Sequence, residues 1–594
     1  MEKRSNPMFY QPWLIGAILC AVLISTWVIV LQNVGNAQDL VAADVTAFDA
    51  PTTSSPITLS DDKQLLWVVN PDNSSVSVLA DLETDPRLIS TITNVGREPQ
   101  AIALDTGNHA YVVSPPDNGV TVIEIRSANP NTFNAVVQKR LTTGAEPWNI
   151  VAAPDGQRIF VANSGQDTIT VIRTSDQTVV GSVDLGDSAC NVGDADRHFQ
   201  PRGLAVTLDN QRLYVARFLS FTGTDGVQGD DFGKEGVICQ LAIPADVNQL
   251  PTVAEAIIVG PQNTGFAIDA NGDGVNDPTS AFPNQIQSLV IRSNQLYLPN
   301  IAASPSRPLK FNVDTQAFVN VIDNAVTGTP VDASADKFLN LHLGARDPEA
   351  GKTRLFFANP WAMAFTTQSG AGDAYVVSAG SDLLVKVNVD ASGVLTFTED
   401  ANTTRYIDLN DPDNSATAGD NAGKNPLGIV IHSGKAFVMN LISRNVSVVD
   451  LTTDSVEKVI RTAPLPPAGS FDEQLLVGKE MFFSSRGLFE APTGQTATVS
   501  LENRLSSEGW QNCGSCHFAG LTDGVIWQFV PGPRKSIPMN STWSPHNPFD
   551  QRLLNYSAFF DEVQDFEINV RNISGPGNLP APVNGSSLDF NHGL

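Results

Sequence analysis

Apolar and polar residues alternate with a period of two in short runs along most of the chain, and these runs recur in a fixed order. Each repeat opens with Pro and a few apolar residues, turns at an Asp/Gly/Asn cluster, and reaches a strand headed by an aromatic. The openings are Pro56-Ile57-Thr58-Leu59, Pro99-Gln100-Ala101-Ile102, Pro147-Trp148-Asn149-Ile150, Pro201-Arg202-Gly203-Leu204, Pro283-Asn284-Gln285-Ile286, Pro360-Trp361-Ala362-Met363 and Pro426-Leu427-Gly428-Ile429. The aromatic-headed runs begin at Trp67, Tyr111, Phe160, Tyr214, Tyr297, Tyr375 and Phe437. Further alternating strands follow, such as Ser75-Val76-Ser77-Val78 and Thr168-Ile169-Thr170-Val171. One four-stranded unit cannot bury both of its faces, whereas a closed ring of units can, and it exposes only short edges. The pattern therefore predicts a mainly β protein, a seven-bladed β-propeller over residues 52–461, with an insertion at about 218–282 in the fourth unit.

The aromatic-Val-x-Asn strands, Trp67-Val68-Val69-Asn70 and Phe437-Val438-Met439-Asn440 among them, resemble the Tyr-Val-Thr-Asn type of propeller repeat found in exported and surface-layer proteins. Residues 462–470, with Pro464, Pro466 and Pro467, read as a stiff linker. From 471 to 594 the pattern changes. Leu475, Leu476, Lys479, Phe482 and Phe483 suit a short amphipathic helix, which predicts a small α-helical domain.

At the N-terminus Lys3 and Arg4 precede an uncharged apolar run from Trp13 to Leu31 and the small residues Gly35-Asn36-Ala37. Residues 1–37 are thus a signal peptide or an N-terminal membrane anchor, with 38–51 as a tether, and either reading places the rest of the chain outside the cytoplasm, in the periplasm or at the cell surface. The formal charge of −27 over 594 residues would repel nucleic acid and anionic lipid, so neither is expected as a partner beyond the membrane contact of the N-terminal run.

One stretch specifies a covalent reaction. In Cys513-Gly514-Ser515-Cys516-His517 two thiols are spaced to add to the vinyl groups of one haem, and the next residue offers an imidazole to the iron. A zinc site would need a second ligand pair at comparable spacing, and no other such cysteine pair exists in the sequence. The expected cofactor is haem c, held by Cys513, Cys516 and His517, with His517 as the proximal ligand. Met539, His546 and His592 are the choices for the sixth iron position, and Met539 ranks first because axial Met suits electron-transfer haem.

Two further sites are expected. Asp269, Asn271, Asp273, Val275 (through its carbonyl) and Asp277 follow the oxygen spacing of a calcium loop, with Gly274 in its turn but Ser280 where an EF-hand carries Glu. The loop looks more like those of dockerin or thrombospondin type 3 repeats. Cys190 and Cys239, in loop-like surroundings of neighbouring units, form a candidate disulfide in an oxidising compartment. His109, His198, His342 and His432 are read as structural.

The C-terminal region also resembles the first haem half of the bacterial di-haem cytochrome c peroxidase family. The residues that carry this are Gly478-Lys479-Glu480-Met481-Phe482-Phe483, Arg504-Leu505-Ser506, the haem pentapeptide, Gly520-Leu521-Thr522-Asp523-Gly524, Pro533 to Asn540, and Tyr556 to Asp561. The resemblance implies a cytochrome c-like domain and peroxidase chemistry with a second haem, for which this sequence holds no second attachment motif. Three functions follow: an extracytoplasmic electron carrier whose propeller docks a redox protein partner, a peroxidase-like enzyme whose second haem half is missing from this chain, or an adhesion propeller with an accessory haem.

Overall fold

The computed structural model describes residues 47–193, 198–269, 273–306, 314–346, 355–397, 405–486, 509–529, 532–539, 543–544 and 547–551. The apolar run Trp13 to Leu31 lies outside them, and among the described residues no helix is long and apolar enough to cross a membrane.

Seven antiparallel sheets stand around one axis. Their innermost strands are Ile57–Leu59, Ala101–Leu104, Pro147–Ala152, Pro201–Val206, Val290–Arg292, Pro360–Phe365 and Pro426–His432, and we number the blades I to VII in that order. The aromatics that head the second strands (Trp67, Tyr111, Phe160, Tyr214, Tyr297, Tyr375 and Phe437) are all at 0% exposure, because each sits between two blades. The Asn that ends this strand has a matching role in three blades. The Asn70 amide donates to Ser75 and Ser77 hydroxyls (3.1 and 3.0 Å), the Asn163 amide to Thr168 and Thr170 (3.0 and 2.8 Å), and the Asn440 amide to Asn445 and Ser447 (2.9 Å each). A buried amide thus ties the second strand to the third, which gives the repeated sequence pattern its physical reason.

The ring closes by packing. Phe437, Met439, Val446 and Val448 of blade VII share one core with Ile57, Val76 and Val78 of blade I. The Ser77 hydroxyl donates to the Thr462 carbonyl at 2.7 Å, and Asp72 receives Lys479 at 2.6 Å. The linker is therefore seated on the seam between first and last blades.

The chain entering blade I runs through the axial channel. Thr52–Thr53 pairs antiparallel with the innermost strand of blade IV, Thr52 opposite Val206 and Thr53 opposite Ala205. Ser54 exchanges two bonds of 3.0 Å with Leu204, through its amide and its hydroxyl, and the Ser55 carbonyl accepts from the Ile102 amide at 3.1 Å. Residues expected at the tether's end and the start of blade I instead line the inside of a blade across the ring. Their polar backbone and hydroxyls find partners there that solvent would otherwise supply.

Three other expectations are corrected. The span 218–282 is not one insertion, since it holds the third and fourth strands of blade IV, Lys234–Ala242 and Thr252–Val259, with the hairpin Gln262–Ile268 and Asp277–Ala281 after them. Cys239 lies within strand Lys234–Ala242, at 0% exposure, rather than in a loop, and it is bonded to Cys190. After the linker the described residues contain one longer helix, Phe471–Phe483, one turn of helix, Cys513–Cys516, and two small hairpins, so they do not form a helical bundle. They pack on the propeller as well as on one another. Glu480 pairs with Lys424 of blade VII at 3.1 Å, and Arg486, 1% exposed, pairs with Asp408 of blade VI.

Candidate haem-attachment site at the axial mouth

The innermost strands all begin on one face of the ring, and the residue before their Pro is held at positive φ in five blades: Glu98, Glu146, Gln200, Asn359 and Asn425. Proline disfavours the right-handed helical region for its predecessor, and a left-handed turn here brings the chain back sharply onto the axis. Side chains at the strand starts therefore crowd the axial mouth, and the Cys513 to His517 peptide is docked on it.

The turn Cys513–Cys516 is locally specified. The Asn512 side chain accepts from the Ser515 amide at 3.0 Å, and the Ser515 hydroxyl accepts from the Asn512 amide at 3.1 Å, a reciprocal cap. Blades IV, V and VI then clamp it and the segment that follows it. The Ser515 hydroxyl donates to Asn359 at 2.7 Å, Gln285 donates to the Ser515 carbonyl at 2.6 Å, and Asn284 donates to the Asp523 carbonyl at 3.0 Å. Lys234 donates to the Gly524 carbonyl at 2.7 Å. The propeller fixes the orientation of the cysteine pair.

Both thiols are unbonded and partly exposed. Burial pushes the Cys513 thiol up to about 11 and the Cys516 thiol well above its ordinary value, with the Asp523 carboxyl adding to the latter. A thioether carries no proton, so the surroundings that oppose a thiolate do not oppose a sulfur bonded to haem. His517 Nδ1 lies 2.9 Å from the Ile537 carbonyl oxygen and 3.3 Å from that of Leu521. A carbonyl can only accept, so Nδ1 carries the proton and Nε2 keeps its lone pair for a metal. A capped turn that presents two sulfurs and an imidazole in this tautomer fits a c-type haem.

Beyond His517 the chain turns at Ala519, whose φ is 48°, and Phe518 points into the mouth. Its ring, 7% exposed, lies 4.7 Å from Phe218, 5.3 Å from Trp361 (stacked) and 5.7 Å from Trp148. Asp523, 2% exposed, accepts from Trp527 at 2.9 Å and Ser536 at 2.6 Å, and burial holds its carboxyl above the usual carboxylate range.

The other expected residues lie elsewhere. The Met539 amide donates to the Gly520 carbonyl at 2.6 Å, so its backbone runs along the Nδ1 side of the imidazole, and its side chain is exposed. His546, His592, Arg504 to Ser506 and Tyr556 to Asp561 fall outside the described residues. In the calcium loop Asp269 accepts from the Gly274 amide at 3.0 Å and Asp273 from the Val275 amide at 2.8 Å, Asp277 begins a strand, and Asn271 is outside the described residues. Among the described residues no group of three or more His, Cys, Asp or Glu side chains is arranged to hold a metal ion.

The sequence reading missed Trp148, Arg202, Phe218, Trp361, Asn284, Gln285 and Asn359. A signal existed for three of them. The residue after the opening Pro is Ile57, Gln100 or Leu427 in three units but Trp148, Arg202 or Trp361 in three others, and bulky side chains at one repeat position mark one end of the axis.

The family model described as Lactonase, 7-bladed beta-propeller matches residues 33–222, which take in blades I to III and the first two strands of blade IV. No curated protein matches. Among solved structures the chain is similar to a hydrazine synthase from Kuenenia stuttgartiensis, with 15% identity, 70% of this chain and 98% of that one covered, and a TM-score of 0.44. It is similar also to a functionally unknown protein from Desulfotomaculum acetoxidans, at 11% identity over 69% and 95% of the two chains with a TM-score of 0.40. A Lactobacillus plantarum protein matches at 14% identity over 70% and 97%, with a TM-score of 0.41.

Proposed function

We propose that the protein is an extracytoplasmic c-type cytochrome that passes single electrons through one covalently held haem, with the seven-bladed propeller as the platform that carries the haem peptide and docks a redox protein partner. The observation that carries this reading is the His517 tautomer, set by the Ile537 carbonyl at 2.9 Å, on a turn where both cysteine sulfurs are unbonded. Cys513 and Cys516 would hold the group, and His517 would offer Nε2 to its iron. When bound, haem supplies a one-electron iron couple. The remaining residues position it. Asn512 and Ser515 shape the turn, while Gln285, Asn284 and Asn359 hold it rigidly on the ring, and a site that does not rearrange suits electron transfer.

Hydrolysis within the axial channel is not adopted, because Thr52 to Ser55 run through its interior against the innermost strand of blade IV. A peroxide-reducing activity is kept as the second reading on one observation: the Met539 backbone runs along the Nδ1 side of His517, away from the nitrogen that would face a metal, and its side chain is exposed.

The test is the optical spectrum of the exported protein, oxidised and reduced, with and without hydrogen peroxide. A low-spin spectrum indifferent to peroxide supports the carrier, and a high-spin fraction that reacts with peroxide supports the second reading. A protein without covalent haem refutes both.

A further inference from the structure

Arg202, the second residue of the innermost strand of blade IV, is 5% exposed at the axial mouth. Its guanidinium carbon lies 3.6 Å from the centre of the Trp148 ring, 4.7 Å from Phe218 and 5.0 Å from Phe518. Nε and Nη1 are buried and have no hydrogen-bond partner. Arg486, comparably buried, is paired with Asp408 through two bonds, which is how such a charge is ordinarily kept inside a protein. Aromatic faces attract the cation but accept no N–H in its plane. Among the described residues the carboxylate whose charge reaches Arg202, Glu146, is exposed. A cation buried at this cost, with donors unused, is prepared for an anion that the described residues do not supply.

We propose that the axial mouth is a carboxylate-binding site with Arg202 as its receptor. The planar guanidinium matches the two oxygens of a carboxylate, and the aromatic walls suit an organic acid better than a hydrated inorganic ion. Two sources share this chemistry. One is a propionate of the haem held by Cys513 and Cys516, since Phe518 directly follows His517, and this source rests on the electron-carrier reading. The other is a free organic acid entering beside Trp148 and Trp361, both partly exposed, and it needs no haem.

The experiment compares the native protein with Arg202→Lys and Arg202→Met, titrating benzoate by tryptophan fluorescence and measuring the haem midpoint potential from pH 6 to 8. If the carboxylate is free, benzoate saturates the native protein and binds Arg202→Met roughly tenfold or more weakly, with Arg202→Lys between them. If it is a propionate, benzoate does not bind, and the Arg202→Met potential departs from the native value and changes its pH dependence while Arg202→Lys stays close. Haem-loaded proteins that agree in both readouts overturn the proposal and leave the electron carrier standing. Arg202-dependent benzoate binding in a protein without haem does the reverse. Should Arg202→Met fail to fold, Trp148→Leu removes one wall, keeps the cation, and is read in the same two ways.

Discussion

Nδ1 of His517 stands 2.9 Å from the carbonyl oxygen of Ile537, twenty residues further along the chain. That contact orients the imidazole and fixes its proton before any metal arrives, as the partners of metal-binding histidines generally do. His517→Ala removes the ligand and leaves both thiols. The expected outcome is a protein that still stains for covalent haem on a denaturing gel but has lost the spectrum of the native low-spin iron. An unchanged reduced spectrum would show that His517 is not the axial ligand.

Phe518 joins the Cys513 to His517 peptide to the axial mouth through Phe218, Trp361 and Trp148. Truncating a buried Phe costs about 3–5 kcal/mol in a closed core. Because this ring lies between segments that can part, the lower end is expected for Phe518→Ala. Thermal unfolding and a red shift of tryptophan fluorescence, as Trp148 and Trp361 gain water, check it. A variant with native melting and emission would mean that the mouth is not held by this ring.

The disulfide ties Cys190 to the third strand of blade IV, 49 residues away. In the chain-entropy picture closing a loop of this size stabilises by about 4 kcal/mol. Cys190→Ser with Cys239→Ser, or reductant with the native protein, should lower the melting temperature. No difference between oxidised and reduced samples would contradict the bond.

His342 is buried and neutral. Its Nδ1 accepts from the Phe357 amide at 3.3 Å and its Nε2 lies 3.2 Å from the Thr315 carbonyl, so burial pushes its pKa down to about 3. The folded value lies below the unfolded one, near 6.5. Between the two, the unfolded chain takes up a proton that the folded protein refuses. Stability from this residue is therefore intact above the window and falls at about 1.4 kcal/mol per pH unit as pH drops through it. His342→Gln should flatten the acid limb of a stability-against-pH curve measured by denaturant unfolding. An unaltered slope would place the acid sensitivity elsewhere.

The propeller was legible because each blade repeats the same solution to the same burial problem. Tyr111, Tyr214, Tyr297 and Tyr375 head equivalent strands, and the amides of Asn70, Asn163 and Asn440 make equivalent bonds. The Cys513 to His517 peptide stood out because haem attachment would fix the spacing of its thiols and imidazole. What could not be read was placement across the ring. Nothing local in Thr52-Thr53-Ser54 says that it lies against Leu204 and Val206, and nothing local in Phe518 says that it meets Trp148 and Trp361. A compact helical domain was expected from the amphipathic stretch ending at Phe483, but the residues that bury this region, Lys424, Asp408, Gln285 and Asn359, belong to the blades. The periodicity of one segment does not reveal which surface covers it.

The measurement that tests the central claim most directly is acid–acetone extraction of the purified, exported protein, followed by haem staining and mass analysis of the fragment that holds Cys513 to His517. Haem that stays with that fragment, and is lost from Cys513→Ala with Cys516→Ala, is the predicted result. Colourless protein with Cys513 and Cys516 as free thiols, or joined to each other, would contradict it.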